Sequence, residues 1–324
     1  MKKLLLLLII PFLSFGQTPI TDDNIYQAVD DWLENPIQAE ETYGNISNWD
    51  VSNVTNMSLM FMAESFNDDI GGWDVSNVTD MSRMFHAAME FNQDIGDWDV
   101  SSVTNMEGMF YGVFYFNYDI GSWDVSSVTN MSYMFHAAGF DPDIGDWDVS
   151  SVTNMAGMFL GAGVSQDIGN WDVSNVTNMA GMFSESLFNQ DIGDWDVSSV
   201  ANMNSMFSAC PLSTQNYDSL LCGWSQLNLV NNVNFDGGWS TYCNSNQGRQ
   251  YIIDTFNWNI SDGGLYDESC NQTETCNSTE IEEHLSDKSL VQITNILGKE
   301  TNKNKGFQLH IYDDGSVEKR YIIE

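Results

Sequence analysis

Seven aspartates carry the most regular chemistry in the chain: Asp50, Asp74, Asp99, Asp124, Asp148, Asp172 and Asp196, each directly after a tryptophan. If their segments lie side by side as parallel strands, about 4.8 Å apart, neighbouring carboxylates repel by about 0.8 kcal/mol in water. Something must offset that. A column of cations would, and carboxylate and carbonyl oxygens favour calcium. Hydrogen bonds from Ser, Thr or backbone N–H groups of the same turns would also serve, and that plainer reading is preferred. A second acidic set, Asp69, Asp94, Asp119, Asp143, Asp167 and Asp191, precedes glycines and reads as turn-forming. His86 and His136 hold equivalent places with Tyr111 between them, about 10 Å apart on the same spacing. That is too far to share a metal, and they read as isolated surface histidines.

Other chemistry is scarce. No G-x-S-x-G, H-E-x-x-H or phosphate-cradling glycine loop occurs, and Arg83 is the only basic residue between Leu4 and Gly248. Most acid–base and nucleophilic schemes need more. A run resembling a calcium loop, Asn257, Asn259, Ser261 and Glu268, lacks the glycine such a loop requires at its sixth position. The formal net charge of -36 sets the body against nucleic acid and anionic membranes. Paired carboxylates for glycoside hydrolysis are a remote alternative, because acidic pairs abound throughout. The chain is read as not an enzyme.

What positions the aspartates is a repeat. Trp49, Trp73, Trp98, Trp123, Trp147, Trp171 and Trp195 follow one another at intervals of 24 or 25 residues, each opening W-D-V-S and leading to V-x-N/D-M-x-x-M-F. Such self-similarity marks a solenoid, whose coils bury their apolar sides only against neighbours. Trp73 and Val75 alternate with polar residues, which predicts a short strand; Met81, Met84 and Phe85 then follow at i, i+3, i+4, which predicts one or two helical turns capped by Thr79 or Asp80. The Trp, Met and Phe columns read as core, not as a ligand groove. Gly71, Gly96, Gly121, Gly145, Gly169 and Gly193 mark the return loops. The expected fold is an α/β solenoid, a leucine-rich-repeat-like right-handed stack of about seven coils.

The ends depart from the repeat. Residues 1–16 have two lysines and then an apolar run too short to span a bilayer, as in a secretory signal peptide; no later stretch is long enough either. Residues 17–44 read as a helical N-terminal cap, with Thr21, Asp22 and Asp23 before the stripe Ile25, Val29, Trp32, Leu33. Residues 45–209 are the repeats. Residues 210–266 read as a C-terminal cap with helices over 213–224, through Tyr217, Leu220, Leu221 and Trp224, and over 246–256, through Tyr251, Ile252 and Phe256. The five cysteines fall in this cap or just after it. In an exported chain they suggest disulfides, with Cys243–Cys270 and Cys210–Cys222 the guessed pairs and Cys276 left over. Residues 267–285 read as a polar linker. Residues 286–324 read as a small β module, with a strand over 290–296 and a hairpin pairing 307–312 with 317–323 across Asp314-Gly315.

Two resemblances follow from these residues. The unit W-D-V-S-x-V-T-N-M-x-x-M-F with F-N-Q-D-I-G, as at Trp98 to Phe110 and Phe91 to Gly96, resembles the repeat of BspA-like leucine-rich-repeat surface proteins of bacteria. The likeness covers residues 18–262. It departs at Asp80 and Ala201, and Phe-Asn-Gln is lost at 140–142 and 164–166, where looser return loops are expected. The tail, with Leu297-Gly298-Lys299-Glu300 and residues 311–324, resembles the C-terminal sorting domain of type IX secretion cargo. Together they imply an exported or cell-surface protein on the outer-membrane exterior, handled by type IX machinery through 286–324 and binding an extracellular protein or glycan without catalysis. A calcium-binding structural surface component is the alternative. No other cofactor is implied.

Overall fold

The structure, a computed structural model, describes residues 17–139, 141–267, 270, 276, 290–294, 306–312 and 317–322. The signal-peptide reading of 1–16 lies outside them, as does most of the linker reading of 267–285. The chain divides into two compact bodies, Met1–Cys276 and Asn277–Glu324.

The first body opens with α1 (Ile25–Glu34) and α2 (Pro36–Tyr43). Ile25, Ala28, Val29 and Trp32 bury one stripe of α1, and Pro36 suits the first position of α2, where its missing N–H costs nothing. Asp22 does not serve the helix dipole as expected. Its carboxylate instead accepts from the Thr55 N–H at 2.8 Å, the Thr55 hydroxyl at 2.7 Å and the Asn56 N–H at 3.3 Å, giving the first repeat the partners that a preceding one would supply.

The repeats stand side by side in parallel, joined at one bridge each: Asn56, Asp80, Asn105, Asn130, Asn154, Asn178 and Asn202 follow one another in register. The bridge is not at W-D-V, and the W-D-V segments are irregular backbone between turns, not strands. The helix expected at M-x-x-M-F is absent too. From Met81 to Ala88 the odd-numbered N–H groups donate to the next repeat, Met81 to Asn105 at 3.0 Å, Arg83 to Glu107 at 2.7 Å, Phe85 to Met109 at 3.0 Å and Ala87 to Tyr111 at 2.7 Å, while Met84, His86 and Ala88 close local turns onto Met81, Arg83 and Phe85. Two residues four apart take left-handed backbone, Arg83 and Ala87 here and Leu59 and Ala63 one repeat earlier. Such conformations cost non-glycine residues of order 1 kcal/mol each, and the shared hydrogen bonds offset it by leaving no backbone group of the turn unpaired.

The interior is a column of like residues. All seven repeat tryptophans are buried, and from Trp73 onward each indole N–H reaches back to the preceding repeat, as Trp98 does to the Ile70 carbonyl at 3.2 Å and Trp123 to Ile95 at 3.1 Å. Phe61, Phe85, Phe110, Phe135, Phe159, Phe183 and Phe207 stack with successive ring centroids between 5.4 and 6.0 Å. Burying an aromatic and finding a partner for its N–H is how a tryptophan is held inside a fold.

The C-terminal end continues the ladder before closing it. Met203 bridges Phe235 in β1 (Asn234–Asp236), which pairs in parallel with β3 (Asn259–Ser261). Between them run β2 (Thr241–Tyr242) and α4 (Asn246–Phe256); β2 pairs with β4 (Gly264–Leu265). Ahead of β1, α3 (Thr214–Trp224) buries the expected Tyr217, Leu220, Leu221 and Trp224. On α4 Ile252 and Phe256 are buried, whereas Tyr251 is exposed. The Asp218 carboxylate gathers the N–H groups of Cys243, Asn244 and Ser245, fixing the start of α4. Asp262 is a buried anion held by Arg249 at 2.7 Å and by the Tyr217 hydroxyl at 2.8 Å.

The cysteines pair differently from one of the guesses. Cys243 joins Cys270, but Cys222 joins Cys276, and Cys210 is free and buried, its thiol beside the Ser186 hydroxyl and the Phe188 carbonyl. The reason is position: Cys210 points into the core, while Cys222 on α3 reaches the segment read as linker. The second body is an antiparallel sheet of β5 (Leu290–Thr294), β6 (Gly306–Tyr312) and β7 (Val317–Ile322) in the order β5-β6-β7.

Candidate functional site

The aspartates that follow the tryptophans are exposed, and each is engaged within its own turn. The Asp50 carboxylate accepts from the Ser52 N–H at 3.1 Å and the Ser52 hydroxyl at 2.6 Å; Asp74, Asp99 and Asp124 do the same with Ser76, Ser101 and Ser126. Asp148, Asp172 and Asp196 accept the N–H of Ser150, Ser174 and Ser198. The serine hydroxyl first, and its N–H second, hold Asp50, Asp99, Asp148 and Asp172 below the usual carboxylate range. For Asp172 the neighbouring Asp148 opposes this, as the smallest of four influences. Among the described residues no three His, Cys, Asp or Glu side chains gather as a metal site. Of the second acidic set, Asp69, Asp94, Asp119, Asp167 and Asp191 accept the N–H of the glycine two residues on, as Asp94 does from Gly96 at 3.1 Å.

Sequence reasoning missed a third column. The bridge residues form an amide ladder in which Asn130 donates to Asn105 at 3.2 Å, Asn154 to Asn130 at 3.1 Å and Asn178 to Asn154 at 3.0 Å. Each also accepts the N–H two residues on, as Asn130 does from Ser132. The alternation of Asn with a single Asp80 was the available signal, and it was spent on a helix cap that does not form. Where Phe-Asn-Gln is lost, the return loop is tied, not looser: the Asp141 carboxylate takes the Ser165 N–H and hydroxyl, replacing the asparagine that links other repeats, such as Asn92 to Asn117.

The departures from repetition that remain gather on one face. His86, Tyr111 and His136 come from three successive repeats and stack ring on ring, with centroids 4.1 and 4.2 Å apart. They are therefore not isolated. Burial first, and the Arg83 guanidinium second, depress His86 below the usual imidazole range; burial, then His86, depress His136, with Glu185 opposing. Neither Nδ1 meets a partner. In the adjoining column stand Arg83, Gly108 and Tyr133. The Arg83 guanidinium bonds Glu107 at 2.5 Å, its stem lies over Gly108, and the Tyr133 ring lies against Gly157, where any added Cβ would collide with it. Together these side chains line an open hollow of about 240 Å³. Nearby in sequence Phe114, Tyr115 and Tyr118 are exposed, Tyr115 by 68%, and Gly139 donates to the Val113 carbonyl. A planar aromatic wall beside an Arg–Glu pair can hold a ligand by ring contact and hydrogen bonds.

The family profile carrying the description "Mycoplasma protein of unknown function, DUF285" matches residues 33–140 and 136–234. No curated protein and no solved structure matches the chain. The two matched stretches run from the end of α1 through all seven repeats to β1, over half of the sequence, so the repeats and the aromatic face both fall inside a chain that belongs to the DUF285 family.

Proposed function

We propose that this is an exported, non-catalytic binding protein: a leucine-rich-repeat-like, right-handed coil stack of the BspA-like kind that contacts an extracellular protein or glycan. The observation that carries the reading is the hollow beside the His86–Tyr111–His136 stack. The aspartates after the tryptophans are satisfied within their own turns, whereas here aromatic rings and an arginine interrupt an otherwise anionic surface. Aromatic and arginine side chains are the usual anchors of recognition. Two disulfides fit an oxidising compartment, and the tail over 286–324 is assigned to type IX export, with the outer-membrane exterior as destination. Against the calcium alternative, each aspartate of the column already accepts hydrogen bonds from its own turn. Against glycoside hydrolysis, the carboxyl groups that depart from their ordinary range, such as Asp50 and Asp99, move down, whereas a general acid must move up.

The test is a binding measurement on the mature chain against immobilised cell-surface material. A triple variant His86→Ala, Tyr111→Ala, Tyr133→Ala should lose binding by at least tenfold, and Asp124→Asn on the tryptophan side should not. Equal binding by the triple variant would refute the assignment of this face.

A further inference from the structure

We infer that the hollow between Arg83 and Tyr133 is a subsite for one neutral pyranose ring, so that the ligand class is an uncharged glycan. This rests on the binding reading above and narrows it. The columns put a residue without a side chain, Gly108, between Arg83 in one repeat and Tyr133 two repeats on. The Arg83 stem covers part of the place over Gly108, and the hollow lies beside it, bordered by Tyr133. Its volume of about 240 Å³ lies below the range of drug-sized pockets, about 300 to 1,000 Å³, and suits a single ring.

The walls have complementary chemistry. Tyr133 is 41% exposed and backed by Gly157, so its ring offers a flat apolar platform to the C–H face of a sugar. The same hollow is lined by the Arg83 guanidinium, one of whose N–H donors is given to the Glu107 carboxylate at 2.5 Å, and by that carboxylate as an acceptor. Adjacent hydroxyls, each both donor and acceptor, match such a pair, and hydrogen bonds to charged groups are the stronger kind. Net charge selects the ligand further. A chain of formal charge -36 repels uronates and sulfated sugars, while Arg83, the one basic residue between Leu4 and Gly248, borders the hollow and repels an ammonium group within it. A ring without charge meets neither obstacle.

The experiment is calorimetric titration of the mature chain with dextran, mannan and galactan as neutral probes, polygalacturonate as the anionic probe and tetramethylammonium as the cationic one. We expect binding to at least one neutral polymer, a Kd raised tenfold or more in Tyr133→Ala and in Glu107→Gln, retention in Tyr133→Phe, and no binding to the charged probes. Unchanged near-ultraviolet circular dichroism confirms that each variant is folded. No affinity for any neutral polymer, an unchanged Kd in Tyr133→Ala, or preference for either charged probe would overturn the subsite. A parallel arm separates this from failure of the parent reading: cell-surface material is oxidised with periodate, which cleaves vicinal diols. Binding that survives oxidation yet is lost in the triple variant keeps the face and removes the sugar; binding indifferent to both removes both.

Discussion

At the residue scale, the fold is stabilised by side chains that satisfy the backbone of a neighbouring turn. Asn130 is the clearest case, since its amide donates to Asn105 and its oxygen accepts from Ser132 and Asn154. Asn130→Ala should cost about 1 to 3 kcal/mol, the penalty for leaving part-buried partners unmade, read by urea denaturation with an unchanged slope. The acidic residues set a pH window. Asp50, Asp99, Asp148 and Asp172 have folded-state values below those of the unfolded chain. The unfolded carboxyls therefore take protons first as the pH falls. The stability they lend is whole above about pH 4 and is lost as the pH drops through the folded values. His86 and His136 are also depressed, so unfolded imidazoles protonate first and stability begins to decline below about pH 6.5. Thermal midpoints should hold level above pH 7, fall gently below about 6.5 and steeply below about 4. A profile flat between pH 7 and 5 in the native chain would contradict the burial of the two rings. The aspartate turns were legible in the sequence because D-x-S spells its own hydrogen bond. The histidine stack was not, because nothing local tells that three rings one repeat apart lean together.

At the element scale, burial was more legible in the sequence than backbone conformation. Met81, Met84, Phe85 and Ala88 are all buried, as a helix of that spacing would have them, yet a ribbon of turns produces the same inward set. The period identifies which side chains face the core; it does not say whether N–H groups bond four residues back or across to the next repeat. The cap helices were read more faithfully, since α1, α3 and α4 close their backbone hydrogen bonds within themselves and do not hand them to a neighbouring repeat. Disulfide pairing was half legible, because Cys276 meets Cys222 of α3 across a sequence separation of 54 that no local spacing reveals. The return loops make a sharper claim. A Cβ on Gly96 would stand 2.5 Å from the Asp119 carbonyl of the next repeat, so Gly96→Ala must push two repeats apart. A loss of about 1 to 3 kcal/mol, the range for overpacking, is expected in denaturant titration. Cys222→Ser with Cys276→Ser should cost about 2 to 4 kcal/mol, while Cys210→Ala, which breaks no bridge, should leave the oxidised disulfide map by mass spectrometry unchanged.

At the scale of the whole molecule, repetition and its interruption divide the work. Seven near-identical repeats and their two caps build one continuous interior from Ile20 to Trp258, with Asp22 starting the ladder and β1 and β3 ending it. Against that regular background the aromatic face of three repeats stands out as the part that stacking does not explain. Hydrogen exchange resolved to single amides tests the arrangement most directly. Arg83, Ala87, Gly108, Gly112, Tyr133 and Ala137 lie in surface turns, yet their N–H groups donate to the following repeat. They should exchange slowly and as a cooperative set, alongside the Thr79 and Thr104 amides that donate backward. Rapid exchange at these positions, at the rate of free turns, would mean that the repeats do not share their backbones and that no such face is assembled.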